Sequence, residues 1–152
     1  MYKQLAKGYD ELYGKEQEVK LQKLAPYLEG RILDIGAGTG IVAKHFPHVV
    51  SLDPCWEMLR RAPGEKVLGR AEHLPFPPKS FDSIVSLTAL HHTDIDQVIR
   101  ELKRMKAKNI ALTVLKKSIH CQEIVTKLKK AFPFTEIEEE KDILLVVKQT
   151  KG

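Results

Sequence analysis

Residues 34–40 read DIGAGTG, a carboxylate followed by three glycines that alternate with small residues. A backbone stripped of side chains lets a ligand approach closely, and phosphates and dinucleotides both use turns of this kind. A phosphate loop needs GxxxxGK[ST], and no lysine follows these glycines. A dinucleotide turn needs GxGxxG, whereas Gly36, Gly38 and Gly40 form GxGxG, with the third glycine displaced by one. Asp34 puts a negative charge beside the place a pyrophosphate would take. That charge opposes a dianion and suits a ligand carrying an ammonium or a sulfonium. A second group with chemistry is His91-His92, whose imidazoles titrate near neutral pH and can take up a proton. Adjacent side chains diverge and no third ligand is evident, so no metal site is expected. Cys55 and Cys121 lack CxxC spacing and read as reduced, partly buried thiols.

These groups need a scaffold that gathers strand ends. The hydrophobic pattern alternates strand with helix along the chain. Strands are expected at 31–35, 49–53, 66–69, 82–88 and 109–115. Helices are expected at 16–25, ended by Pro26, then at 39–46, at 54–61 and at 118–131. Another helix places Ile95, Val98, Ile99, Leu102 and Met105 on one stripe, behind a capping box of Thr93 and Asp96. The segment LPFPPKS, 74–80, carries three prolines and must be a loop. Two strand-like runs, 134–140 and 143–147, flank Lys141-Asp142 as a hairpin. Strands joined by crossover helices give a parallel sheet covered on both faces, and the hairpin adds one antiparallel strand. Ligands of such sheets sit beyond the carboxyl ends of the strands, where the strand order reverses, and the glycine turn falls there.

The chain has 152 residues, 43% of them hydrophobic and 30% charged, which is enough for one domain with its own core. No apolar run reaches the roughly 20 residues needed to cross a bilayer, so no membrane association is expected. The amino terminus, MYKQLAKGYDELYG, has no apolar core of a signal peptide, so the expected location is cytoplasmic. The net charge of +5 is unevenly placed: residues 100–130 hold ten Lys or Arg against two acids. Such a tract is either a footprint for phosphates or the solvated faces of two helices.

Four stretches in order carry a family resemblance. DIGAGTG (34–40) resembles the [DE]xGxGxG motif of class I S-adenosylmethionine-dependent methyltransferases. LDPCWEML (52–59), AEHLPFPPKSFDSIVS (71–86) and SLTALHH (86–92) resemble the motifs that follow it, so the likeness spans roughly residues 30–115. It is similar to the broad type 11 group and implies an α/β, Rossmann-like, doubly wound sheet of seven strands, mostly parallel with an antiparallel C-terminal hairpin strand. It also implies a single domain over 1–152, in which 1–29 form a helical segment covering the cofactor site and 30–152 form the core.

The resemblance implies S-adenosylmethionine as cofactor and a set of contacts for it. Gly36, Ala37, Gly38 and Gly40 would let the backbone approach the cofactor, and N–H groups at the start of the Thr39 helix would meet its carboxylate. Asp34 would attract the methionine ammonium. Asp53, 19 residues on, would accept both ribose hydroxyls, unless it serves only as a helix cap. Pro54 and Met58 would border ribose and adenine. Many members carry Asp where Arg70 stands here, so the adenine would fall to the Ala71 N–H and the Glu72 carboxylate. Tyr9, in KGYDELYG with Asp10 and Tyr13, would pack on the methionine arm.

Thr88, His91 and His92 would face the transferred methyl, with either histidine as the candidate base. The NPPY-like signature of enzymes that methylate amide or adenine nitrogens is missing. Motif style favours a small-molecule acceptor. The basic tract and a short link after Leu115, with no lid insertion, favour an RNA or a translation-related protein. Such a minimal core also suits a homo-oligomer or a site completed by a small activator subunit. A cofactor-binding module without turnover is the further alternative.

Overall fold

A computed structural model describes residues 14–148. Residues 14–24 form helix α1, and Pro26 turns its end into a 3-10 segment, Ala25–Tyr27. The chain then alternates: β1 (Ile32–Ile35), α2 (Ile41–His45), β2 (Val49–Asp53), α3 (Trp56–Leu59), β3 (Glu65–Leu68), β4 (Ser83–Leu87), α4 (Ile95–Met105), β5 (Asn109–Leu115), α5 (Cys121–Ala131), β6 (Thr135–Glu138) and β7 (Asp142–Lys148). The seven strands form one sheet in the order β3-β2-β1-β4-β5-β7-β6. Every neighbouring pair among β1 to β5 is parallel, and β7 runs antiparallel to both β5 and β6. The order reverses between β1 and β4, which opens a crevice at their carboxyl ends.

Alternating residues of each strand feed two separate cores, as the period of two requires. On one face Leu33, Ile35, Ile84, Ile110, Leu112 and Leu145 pack under α4 and α5, against Val98, Leu102, Ile124 and Leu128. On the other face Ile32, Val85, Ala111, Leu144 and Val146 pack under Leu21 and Leu24 of α1 and Val42 of α2. Burial on both faces explains why the strand segments read as nearly continuous apolar runs.

Some local expectations are corrected. Helix α2 starts at Ile41, not at Thr39, because Gly40 precedes it in the left-handed region with φ 82°. Helix α3 keeps only Trp56–Leu59 of the expected 54–61. The cap of α4 is Asp94, whose carboxylate accepts from the Gln97 N–H at 3.3 Å; the Thr93 hydroxyl instead donates back to the Leu90 carbonyl at 2.7 Å. Cys121 is buried as expected, but Cys55 is exposed. The proline loop at 74–80 is fastened by Arg104 of α4, whose guanidinium donates to the Leu74 and Phe76 carbonyls at 2.8 Å each while pairing with Glu101.

Candidate active site

A cleft of about 590 Å³ lies at the carboxyl ends of β1, β2 and β4. Of the sequence-expected residues, it gathers Asp34, Gly36, Ala37, Gly38, Thr39, Asp53, Met58 and Thr88. Helix α1 supplies a further wall through Gly14, Gln17 and Glu18, and Lys44 and Arg61 stand at its rim. Tyr9, with Asp10 and Tyr13, lies outside the described residues.

Asp53 is the fixed point of the cleft. It ends β2, where the chain leaves the sheet, and both carboxylate oxygens are held by backbone donors. The Cys55 N–H donates to Oδ1 at 2.8 Å, and the Gly38 N–H donates to Oδ2 at 2.9 Å. The first bond is the local turn that a cap reading expects; the second ties β2 to the glycine loop. The rest of that loop is anchored in the same direction, since the Gly36 and Ala37 N–H groups donate to the Leu52 carbonyl at 2.8 and 2.9 Å and the Gly40 N–H to Ala37. These four donors are satisfied inside the protein, so this part of the loop presents a surface for close contact rather than a cradle for an anion.

The glycines serve different ends. A Cβ on Gly36 would come within 2.4 Å of Ala89 Cβ, and one on Gly40 within 2.5 Å of Ala62 Cβ, so both are needed by the protein's own packing. Gly38 is the open one: its Cβ would meet only the Met58 methyl at 3.3 Å, beside the cleft.

Asp34 is the penultimate residue of β1, just before the glycine turn, and is buried at 2% exposure. Burial pushes its carboxyl well above the usual carboxylate range, and the nearby Asp53 charge pushes it further. A cation beside Asp34 would favour its ionised form.

Other expected residues lie apart. Ala71 is buried in the core cluster under α4 and α5. The Glu72 carboxylate accepts from the Asp94 N–H at 3.3 Å, so it is turned toward the start of α4. Pro54 is exposed, and neither it nor Gly40 lines the cleft. His91 and His92 follow β4 in a 3-10 turn, with ring centroids 4.1 Å apart and tilted by 51°. Burial and the neighbouring His92 lower the His91 pKa, with a smaller opposing pull from Asp142. Among the described residues no cluster of His, Cys, Asp or Glu could hold a metal ion.

Sequence reasoning missed Lys20 and Asp142. Lys20 Nζ pairs with Asp142 Oδ2 at 2.5 Å, with the two side chains 5% and 0% exposed. The hydroxyl of Thr88, a cleft residue, donates to the same carboxylate oxygen at 2.8 Å. A signal existed: Lys20 falls on the inward stripe of α1 with Leu21 and Leu24, where a solvated lysine does not belong.

Residues 33–112, over half of the chain, match the methyltransferase domain family. An uncharacterised protein of Methanocaldococcus jannaschii, MJ1252, is 36% identical over 116 residues, covering 68% of this chain and 45% of that protein. Demethylmenaquinone methyltransferase of Thermotoga maritima is 34% identical over 97 residues, covering 56% of this chain and 42% of that enzyme. The chain therefore spans less than half the length of these two relatives. In fold, it superposes on a solved SAM-dependent methyltransferase of Thermotoga maritima with a TM-score of 0.75 over 98% of each chain, at 17% identity. The strand order, the glycine turn leading to a fixed carboxylate at the second strand, and the match over residues 33–112 converge: the chain belongs to the methyltransferase domain family.

Proposed function

We propose that the cleft binds S-adenosylmethionine and that the chain transfers its methyl group to a small-molecule acceptor. The observation that carries the reading is Asp53, a buried carboxylate oriented by two backbone N–H groups at the open end of β2. Each carboxylate oxygen offers about two acceptor sites. One on each is used by the protein, which leaves one on each for a pair of vicinal ribose hydroxyls. The cofactor fits the rest of the donor set: Gly38 leaves room for close approach, and an ammonium or sulfonium beside Asp34 would offset the burial that now keeps that carboxyl's pKa high.

The bound cofactor would supply an electrophilic methyl on a good leaving group. What remains for the chain is positioning and exclusion of water. Asp53 and the glycine loop fix the nucleoside end, and α1 closes one side through Gln17 and Glu18. His91, whose pKa is lowered by burial and by His92, is the candidate to accept a proton from an acceptor that must lose one.

The small-molecule reading draws support from the basic tract, much of which is already engaged. Lys127 pairs with Asp96 and Glu123, Lys129 with Glu136, Lys116 with Glu138 and Arg104 with Glu101. A relative, demethylmenaquinone methyltransferase, is named for a small-molecule acceptor. The test is incubation with methyl-labelled cofactor and cell extract separated into small molecules, RNA and protein. Label is expected in the small molecules. Label in RNA or protein would move the acceptor, and calorimetric binding of adenosylhomocysteine without label anywhere would leave a binding module.

A further inference from the structure

Two walls of the cleft, α1 and the Thr88 segment after β4, meet behind it at one buried polar cluster that β7 completes. Lys20 comes from α1, whose residues Gln17 and Glu18 line the cleft one turn earlier. Asp142 is the first residue of β7. Because β7 alone runs against β5, its start lies beside Leu115, at the carboxyl end of the parallel strands. Between the two stands Thr88, the residue immediately after β4. Its hydroxyl donates to Asp142 Oδ2 at 2.8 Å and accepts from Lys20 Nζ at 3.3 Å. The Thr88 N–H donates to the Thr113 hydroxyl at 2.7 Å.

Thr88 has φ 54°. A β-branched residue in the left-handed region is strained, and such a conformation persists only when its surroundings fix it. Here they do, through Asp142, Lys20 and Thr113. The elbow sets the direction in which the chain leaves the sheet, with Ala89 next to it in the cleft lining. The same Asp142 carboxylate acts on His91 by its charge. On the other side, α1 is moored to the β6–β7 turn by the Lys141–Glu16 pair at 2.5 Å, with Lys20–Asp142 as its buried member. A buried ion pair is weak evidence for stability, since apolar side chains of similar volume can replace one at little cost. Its geometric effect is harder to replace: it fixes a helix and a strained elbow with one carboxylate.

We infer that Lys20 and Asp142 are positioning residues of the cofactor cleft, which hold α1 and the Thr88 elbow in the arrangement that binds the cofactor. The inference rests on the proposed cofactor reading. It is tested by calorimetric titration with adenosylhomocysteine, alongside thermal melting, on the full chain. Wild type that gives no heat removes the cofactor reading itself. With wild-type binding in hand, the paired apolar replacement Lys20→Met with Asp142→Leu is expected to melt near wild type yet bind about tenfold or more weakly. Lys20→Arg, which keeps a cation beside Asp142, is expected to bind more tightly than Lys20→Met. If the double variant does not fold, Asp142→Asn, which keeps shape and loses charge, is expected to show the same loss of affinity and a lower His91 pKa by NMR. Affinity within twofold of wild type in a folded variant overturns the inference. So does a loss of affinity that merely tracks the loss of melting temperature, or equal affinity in the Arg and Met variants at Lys20.

Discussion

Asp53→Asn tests the cleft at its fixed point. The carboxylate offers an oxygen to each of two backbone donors, Cys55 N–H at 2.8 Å and Gly38 N–H at 2.9 Å. Asparagine has one carbonyl oxygen, so one of those N–H groups must face an NH2 group. Losing one charge-assisted bond of this kind costs about 1.5–3 kcal/mol. Part is returned, because the Asp53 charge opposes ionisation of Asp34 and its removal relieves that repulsion. The net loss of folding stability is about 1–2 kcal/mol, or a melting temperature lower by roughly 2–8 °C in a chain of this size. Binding suffers separately, because the amide cannot accept from two ribose hydroxyls while meeting both N–H groups. That adds about 1–3 kcal/mol, a loss of roughly 5–150-fold in affinity for adenosylhomocysteine. Differential scanning calorimetry and isothermal titration at one ionic strength read the two quantities independently. A variant that melts lower but binds adenosylhomocysteine within twofold of wild type would refute the reasoning: the carboxylate would then be a clamp for the glycine loop and nothing more.

Asp34→Asn should separate stability from binding in the opposite sense. A carboxyl whose folded pKa is raised stabilises the fold fully below its unfolded value of 3.8, and that contribution is lost as pH rises through the folded pKa. The variant should therefore gain melting temperature over wild type as pH rises from acid to neutral, and should bind adenosylhomocysteine about 1–3 kcal/mol more weakly for want of the ammonium's partner. Gly40→Val and Gly38→Val should differ in kind. The first drives a Cβ to 2.5 Å from Ala62 at φ 82° and should lower stability by about 2–4 kcal/mol in thermal melts. The second, at φ 57° with only the Met58 methyl nearby at 3.3 Å, should cost about 1–2 kcal/mol of stability and most of the cofactor affinity. Arg104→Ala frees the Leu74 and Phe76 carbonyls and should raise amide exchange across the proline loop by an amount corresponding to about 1–3 kcal/mol.

What was legible in the sequence was what short range decides. The strands at 49–53 and 109–115 lie where their apolar runs lie, because burial on both faces leaves an unbroken signal. The stripe Ile95, Val98, Leu102, Met105 is the buried face of α4. Helix starts were harder, since Gly40 and Asp94 set them by backbone angle and a single hydrogen bond rather than by pattern. The candidate site divides along the same line. Asp34, Gly38 and Asp53 were visible because one loop and two adjacent strands carry them. The orientation of Glu72 was not legible, because its partner, the Asp94 N–H, is 22 residues away. Lys20 and Asp142 are farther still, and nothing near either residue announces the other. Asp142 looked like a hairpin residue, and it is one, with its N–H bonded to the Glu139 carboxylate at 2.8 Å.

The reversed direction of β7 has a bearing on biosynthesis. A nascent chain that has emerged only as far as β5 already owns the glycine turn, Asp53 and the strands between them. It has no carboxylate to meet Lys20, and only Thr113 and Lys20 to restrain Thr88. The hairpin then adds the Asp142 carboxylate that Lys20 of α1 pairs with. The polar cluster behind the cleft is thus complete only once β7 has been made.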